Sequence, residues 1–182
     1  MKIYTRKGDD GSTGLFHGGR VAKDDTGPEA YGVVDEAVAA LGVARAVAPE
    51  RLATAILGVQ RDLFVVAAEL ATGAGNRSKL IAGESLTTTA MVELLEDRID
   101  EVESDAGMPK EFVVPGGSAL AAALDVARTM VRRAERRAVS HRRVAGIADW
   151  QVVPYLNRLA DYLYVLARAE EVTWASSKEQ PS

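Results

Sequence analysis

The stretch Ala127-Arg-Thr-Met-Val-Arg-Arg-Ala-Glu-Arg-Arg-Ala-Val-Ser-His141 decides how this 182-residue chain folds. With Leu120 and Leu124 before it, the apolar positions Ala127, Val131, Ala134 and Ala138 step by fours and threes. That rhythm places them on one buried stripe of an α-helix. Arg128, Arg132 and Glu135 each follow a stripe residue by one position, so they line the stripe's border, where a neighbouring chain or a ligand would sit. Arg133, Arg136 and Arg137 project farther round toward solvent. A row of guanidinium forks suits phosphate oxygens and carboxylates. It equally suits a salt-bridged surface face, the commoner fate of arginine-rich helices.

The same rhythm recurs outward from this stretch. Residues 30–48 read as a helix with Val34, Val38 and Leu41 inward and Pro49 beyond its end. A second helix runs from about Pro49 to Leu70 on Leu52, Ile56, Val59, Leu63, Val66 and Leu70, with Gly73 as its stop. Residues 73–86, rich in Gly and Ser, predict a mobile connection. A third helix spans Thr87 to Ser104, capped by threonines, with Met91, Leu95, Ile99 and Val102 inward. Phe112 to Gly117 reads as a short extended piece and turn, Ser118 caps the arginine helix, and Pro154 opens a fifth helix on Leu156, Leu159, Leu163, Leu166 and Glu170. Five such helices and few strand signals predict an all-α bundle.

One domain accounts for the whole length, with a loop at 1–28, helices over 29–175 and a polar, frayed tail at 176–182. Hydrophobic residues make up 47% but aromatics only 5%, so the core is built of Ala, Val and Leu and suits close helix packing. Without cysteine there is neither a disulfide nor a thiolate metal site. His17 and His141 both lack the preceding Glu of a Glu-x-x-His motif, which excludes a di-iron bundle. No run approaches the ~20 apolar residues of a membrane span and no signal peptide is evident, so a cytoplasmic protein is expected. A net charge of −4 and a pI near 5.3 argue against general nucleic-acid binding.

The other informative stretch is Ile3 to Arg20, with five glycines, the hydroxyls of Thr5, Ser12 and Thr13, and the cations Arg6, Lys7 and Arg20. Glycine lets amide N–H groups approach a ligand closely, and the added donors and charge give the chemistry of a triphosphate cradle. No Gly-Lys-Ser/Thr closes a Walker A loop. Alone, the stretch also reads as a solvated Gly/Asp-rich loop.

Four segments in order carry a family resemblance: Tyr4-Thr-Arg-Lys-Gly-Asp-Asp-Gly-Ser-Thr-Gly-Leu15 with Arg20-Val-Ala-Lys-Asp24; Glu29-Ala-Tyr-Gly-Val-Val-Asp-Glu36; Phe112-Val-Val-Pro-Gly-Gly-Ser118 leading into Ala127–Arg136; and Tyr155-Leu-Asn-Arg-Leu-Ala-Asp161. Together they resemble the PduO-type corrinoid adenosyltransferases, which transfer adenosyl from ATP to cob(I)alamin. The resemblance covers most of the chain outside about 73–100.

It implies a homotrimer of five-helix, ferritin-like, up-and-down bundles with ATP between adjacent subunits. Thr5, Arg6, Lys7, Gly8, Asp9, Gly11, Ser12, Thr13 and Lys23 would hold the triphosphate from one subunit. Arg132, Glu135, Arg136 and Asn157 would complete the nucleotide site from the neighbour. Asp35 and Arg128 match a pair that joins subunits beside the corrin, and Phe112 matches an aromatic against its lower face. With Arg132, these form the implied catalytic set. Mg²⁺ would ride on the phosphates and water. A Co(II) reductase and a cobalamin-dependent enzyme are implied partners.

The chemistry agrees, because Co(I) attack on the ribose 5′-carbon expels triphosphate and needs cations rather than a general base. Phe112 has a bland alternative as a buried core aromatic. Lys7 stands where the family usually has threonine, Gly27-Pro28 replaces an Arg-aliphatic pair, and Val38 replaces an asparagine. The rival functions are an ATP sensor of the same fold that has lost transfer, and a helical DNA-binding module at Arg128–Arg143.

Overall fold

The computed structural model describes residues 3–171 and 173–178. Its main elements are a hairpin of β1 (Ser12–Gly14) and β2 (Arg20–Ala22), then α1 (Thr26–Val47), α2 (Glu50–Leu70), α3 (Thr89–Ala106), α4 (Ala119–Ala145) and α5 (Val152–Ala169). A 3-10 turn at Ala74–Lys79 lies between α2 and α3. The predicted stripes become the core. Leu120, Leu124, Ala127, Val131, Ala134 and Ala138 are buried on α4, and all six apolar positions named on α2 are buried. The alanines of α4 meet Ala30, Ala37, Ala40 and Ala44 of α1 in one cluster, and such small side chains allow two helices to approach closely. α1 packs on α2 and α4, while α5 packs on α4 and α3.

Local chemistry explains the helix ends. The Ser118 hydroxyl accepts the Ala121 N–H at 3.0 Å, and the Thr88 hydroxyl accepts the Met91 N–H at 3.3 Å. α4 stops at Gly146, whose φ of 65° is left-handed and lets its N–H close on the Arg142 carbonyl.

Helix bounds agree with the sequence reading to within a few residues, with differences at the starts of α1 and α5. α1 starts at Thr26 rather than Ala30, because the Asp25 carboxylate accepts the Thr26 N–H and so caps the helix ahead of Gly27 and Pro28. α2 ends at Leu70, as its stripe predicts. α5 starts at Val152, and Pro154 is accommodated in its first turn, where a missing N–H costs nothing. On α3 only Val92 and Leu95 are fully buried, with Met91, Ile99 and Val102 at the edge of the core.

The segment 73–86 is not the loose connection that its composition predicts. Arg77 reaches Glu69, buried on α2, at 2.6 Å, and the other oxygen of Glu69 accepts the Thr87 N–H at 2.7 Å. The expected frayed tail is also tied down where it is described. Val113 and Ser176 pair across an antiparallel bridge, and Glu111 takes the Ser176 hydroxyl at 2.7 Å and the Lys178 ammonium at 3.1 Å. Residues 179–182, the rest of that tail, lie outside the described residues.

Candidate functional site

The glycine-rich stretch folds as a braced hairpin. Ser12 donates its backbone N–H (2.9 Å) and its hydroxyl (2.8 Å) to the Asp10 carboxylate, which holds that carboxyl below the usual carboxylate range. Arg20 crosses behind, donating from Nε to the Ser12 hydroxyl at 3.1 Å and from Nη2 to the Lys7 carbonyl at 2.5 Å. Arg20 is therefore a brace of the loop, and the Ser12 hydroxyl already has partners on both sides. Lys23 folds back over the loop, its N–H on the Gly11 carbonyl at 2.9 Å. A Cβ added to Gly8 would stand 3.1 Å from the Lys23 ammonium, so the bare glycine is what seats that charge against the backbone.

The remaining loop residues stay exposed or nearly so. Thr5, Arg6, Lys7, Asp9 and Gly11 are exposed, and Thr13 is half-buried in β1. Arg6 holds a left-handed φ of 59° with its guanidinium 5.5 Å from the Tyr4 ring. A non-glycine residue in that region is strained, and strain of this kind gathers where a ligand is held. The hairpin is fastened to the bundle through the Phe16 N–H on the Ala71 carbonyl at 2.9 Å. Behind it, Gly27 packs against His141, and a Cβ there would meet the imidazole Cε1 at 3.3 Å. The Gly27-Pro28 departure thus makes room for a histidine, whose Nδ1 lies 3.0 Å from the Thr26 hydroxyl.

The arginines of α4 divide into two rows. Arg133 pairs with Glu36 and Arg137 with Glu29 at 3.1 Å, so this row ties α4 to α1. The other row, Arg132, Glu135, Arg136 and Arg143, lines an open cleft of about 370 Å³ with Val139 and Ser140. There the Arg136 Nη1 donates to the Arg132 carbonyl at 3.0 Å, and Glu135 accepts the Asn157 side-chain N–H at 3.2 Å. Arg158 steadies Asn157 from below at 2.6 Å. Among the described residues, no ion pair neutralises Arg132, Arg136 or Arg143. The salt-bridged reading of the helix holds on the α1 side, while the other side leaves its guanidinium groups beside an open cleft. Arg143 belongs to the open row although the motif segments stop short of it. A larger cavity of about 490 Å³ between α2, α3 and α5 is lined by none of these residues, and its Arg51 and Glu101 face each other at 3.7 Å.

At the other end of α4 lie the residues that the resemblance placed beside a corrin. Phe112 is 85% exposed, which removes its reading as a core aromatic, and its carbonyl accepts the Ser177 N–H at 2.9 Å. Asp35 is exposed on α1. Arg128 donates from Nε to Asp125 at 2.8 Å rather than to Asp35 of its own chain. Asp125 and its buried partner Arg168 escaped the sequence reading, since an Asp inside an apolar stripe and an Arg at its far end give no periodic signal.

Residues 3–170 match the cobalamin adenosyltransferase family. The chain belongs to that family. It is 40% identical over 173 residues to a corrinoid adenosyltransferase of Citrobacter freundii, covering 94% of this chain and 96% of the relative. A corrinoid adenosyltransferase of Mycobacterium bovis is 42% identical over 180 residues, covering 92% and 87%. Among solved structures, a variant PduO-type ATP:corrinoid adenosyltransferase from Lactobacillus reuteri, complexed with cobalamin and ATP, superimposes with a TM-score of 0.88. It shares 31% identity, and the match covers 98% of this chain and 100% of that one. The five-helix bundle of this adenosyltransferase family member is thus the fold expected from the sequence. No helix among the described residues is long and apolar enough to cross a membrane.

Proposed function

We propose that this chain transfers the 5′-deoxyadenosyl group of ATP to the Co(I) centre of cobalamin or a related corrinoid, releasing triphosphate. The observation that carries the reading is the open arginine row of α4: Arg132, Arg136 and Arg143 keep their charge unpaired beside a cleft, while Arg133 and Arg137 are tied to α1. A DNA-binding helix is not favoured by an acidic chain.

In the reaction, cobalt attacks C5′ and the C5′–O bond breaks, its electron pair leaving with the triphosphate. The chain's part is to bind ATP with C5′ facing the corrin and to stabilise the growing charge on the leaving group. Lys23, seated over Gly8, and the exposed donors of the Thr5–Thr13 loop supply one half of that stabilisation. Arg132 and Arg136 supply the other, with Glu135 and Asn157 holding the nucleoside end through their mutual hydrogen bond. Mg²⁺ bound with ATP would neutralise phosphate charge; exposed Asp9 is the loop carboxylate free to approach it, since Asp10 is occupied by Ser12.

The two halves belong to neighbouring copies in a homotrimer, where Arg128 meets Asp35 of the adjacent copy. The exposed Phe112 ring lies against the lower corrin face, excluding water and the lower axial ligand and so easing reduction of cobalt. A cytoplasmic setting, with a reductase supplying Co(I) and a cobalamin-dependent enzyme taking the product, fits this chemistry. The single domain 1–182 carries all of it.

The test is an anaerobic assay of chemically reduced Co(I)alamin with ATP. Growth of the adenosylcobalamin spectrum together with inorganic triphosphate is the expected result. ATP binding with neither product would instead make the chain a sensor.

A further inference from the structure

A buried charge network joins α4, α5 and the Phe112 segment. Arg168 in α5 is 1% exposed, and its Nη2 donates to Asp125 Oδ2 at 2.5 Å. Its Nε lies 3.1 Å from Glu171 Oε2. The other oxygen of Asp125 takes Arg128 Nε at 2.8 Å, and the other oxygen of Glu171 accepts the Gly117 N–H at 3.0 Å. Charges therefore alternate from Arg128 through Asp125 and Arg168 to Glu171, which ends on the backbone leading from Phe112 into α4. The Arg168 carbonyl also receives the Trp174 indole N–H at 3.1 Å, anchoring the segment whose Ser177 N–H holds the Phe112 carbonyl.

Buried ion pairs add little net stability, because desolvation offsets most of their attraction. Four linked charges at this end of the bundle point to a geometric role. Asp125 engages only Nε of Arg128, leaving both terminal nitrogens of that guanidinium for another partner. Gly117 fits the network closely as well, for a Cβ there would stand 2.8 Å from Glu171 Oε1 and 3.1 Å from its Cγ.

We propose that Asp125, Arg168 and Glu171 are positioning residues that lock Arg128 and the Phe112 segment to each other, so that the two corrin-side elements are set as one unit. The proposal rests on the corrinoid reading above. It separates the two substrates: the network touches neither the Arg132 row nor the Thr5–Thr13 loop, so a change in it is felt by the corrin and not by ATP.

Two variants test it, Asp125→Asn and Gly117→Ala. Asn keeps the size of Asp125 but can satisfy only one of the two arginines. Ala at Gly117 displaces Glu171 from an exposed loop position, and so leaves the bundle folded even if Asp125→Asn does not. Each is measured for melting temperature, ATP affinity, cobalamin kinetics and the optical spectrum of bound Co(II)alamin with ATP. The expected outcome for Asp125→Asn is a loss of about tenfold in kcat/KM for cobalamin, the size of one charge-assisted contact, with a spectrum shifted back toward axially ligated cobalt and ATP affinity unchanged. Gly117→Ala should move the same two readouts less far. Parent-like cobalamin kinetics and spectra in the folded variants, whatever the melting temperature does, would overturn the positioning role, as would a matching loss of ATP affinity. If the unsubstituted chain fails to adenosylate Co(I)alamin, the functional reading fails first and the proposal with it.

Discussion

Arg132 and Arg133 are adjacent in sequence and opposite in circumstance, and the account stands on that difference. Arg133 is paired with Glu36 on an exposed face, whereas Arg132 faces an open cleft and, among the described residues, forms no ion pair. Arg132→Ala should weaken ATP binding or turnover by about 1.5–3 kcal/mol, the range of a charge-assisted hydrogen bond. Arg133→Ala should leave both unchanged and cost at most ~1 kcal/mol of stability. Calorimetric titration with ATP checks the pair, and equal effects would refute the division of the helix. Phe112 was the least legible residue in the sequence, since a lone Phe beside two valines usually packs inward. Its 85% exposure leaves the ring in water and open to a ligand. Phe112→Ala should therefore fold and bind ATP, react poorly from Co(II)alamin with a mild reductant, and recover when Co(I) is supplied ready made. Equal impairment with Co(I) would confine Phe112 to shape rather than cobalt reduction.

Elements were legible wherever a stripe ran long enough to repeat. Leu52 to Leu70 and Leu120 to Ala138 announce α2 and α4 because only a helix buries residues at those intervals. The start of α1 is not legible, because the apolar stripe begins only at Ala30 while the cap that starts the helix at Thr26 is a single short contact from Asp25. The 73–86 segment departs from its composition for a similar reason. Its composition is that of a loose loop, but Arg77 and Glu69, eight residues apart, tie it to a buried carboxylate. One element-scale consequence is a pH dependence at the junction of the hairpin, α1 and α4. Burial holds the His141 imidazole below its usual 6.5, against an opposing pull from Asp25 and with help from Arg77. The folded chain thus binds this proton less readily than the unfolded chain. The stability involved is complete above 6.5 and is lost as pH falls through the lowered folded value. Melting temperatures between neutral and mildly acid pH should fall less steeply in His141→Gln than in the parent, and parallel slopes would show that the imidazole does not titrate on unfolding.

At the scale of the whole molecule, the family and the bundle followed from four separated motifs, but the way they assemble into sites cannot be read within one chain. Lys23 and the exposed loop donors lie on the hairpin, while Arg132, Glu135 and Asn157 lie on α4 and α5. No hydrogen bond or ion pair among the described residues joins the two sets. The loop reads as a cradle and the helix as a phosphate comb, and in the proposed homotrimer a heterologous interface repeated around a threefold axis would bring one to the other. That arrangement is the central claim, and it has a direct measurement. Lys23→Ala and Arg132→Ala should each be nearly inactive with ATP and Co(I)alamin when purified alone. Co-expressed in equal amounts, the two variants should assort into trimers in which about one quarter of the sites draw an intact loop from one copy and an intact arginine from the next. The account predicts that adenosylation returns to about that fraction of the parent rate. Mixed trimers that remain as inactive as either variant alone would contradict it, placing both residues in a site made by a single chain.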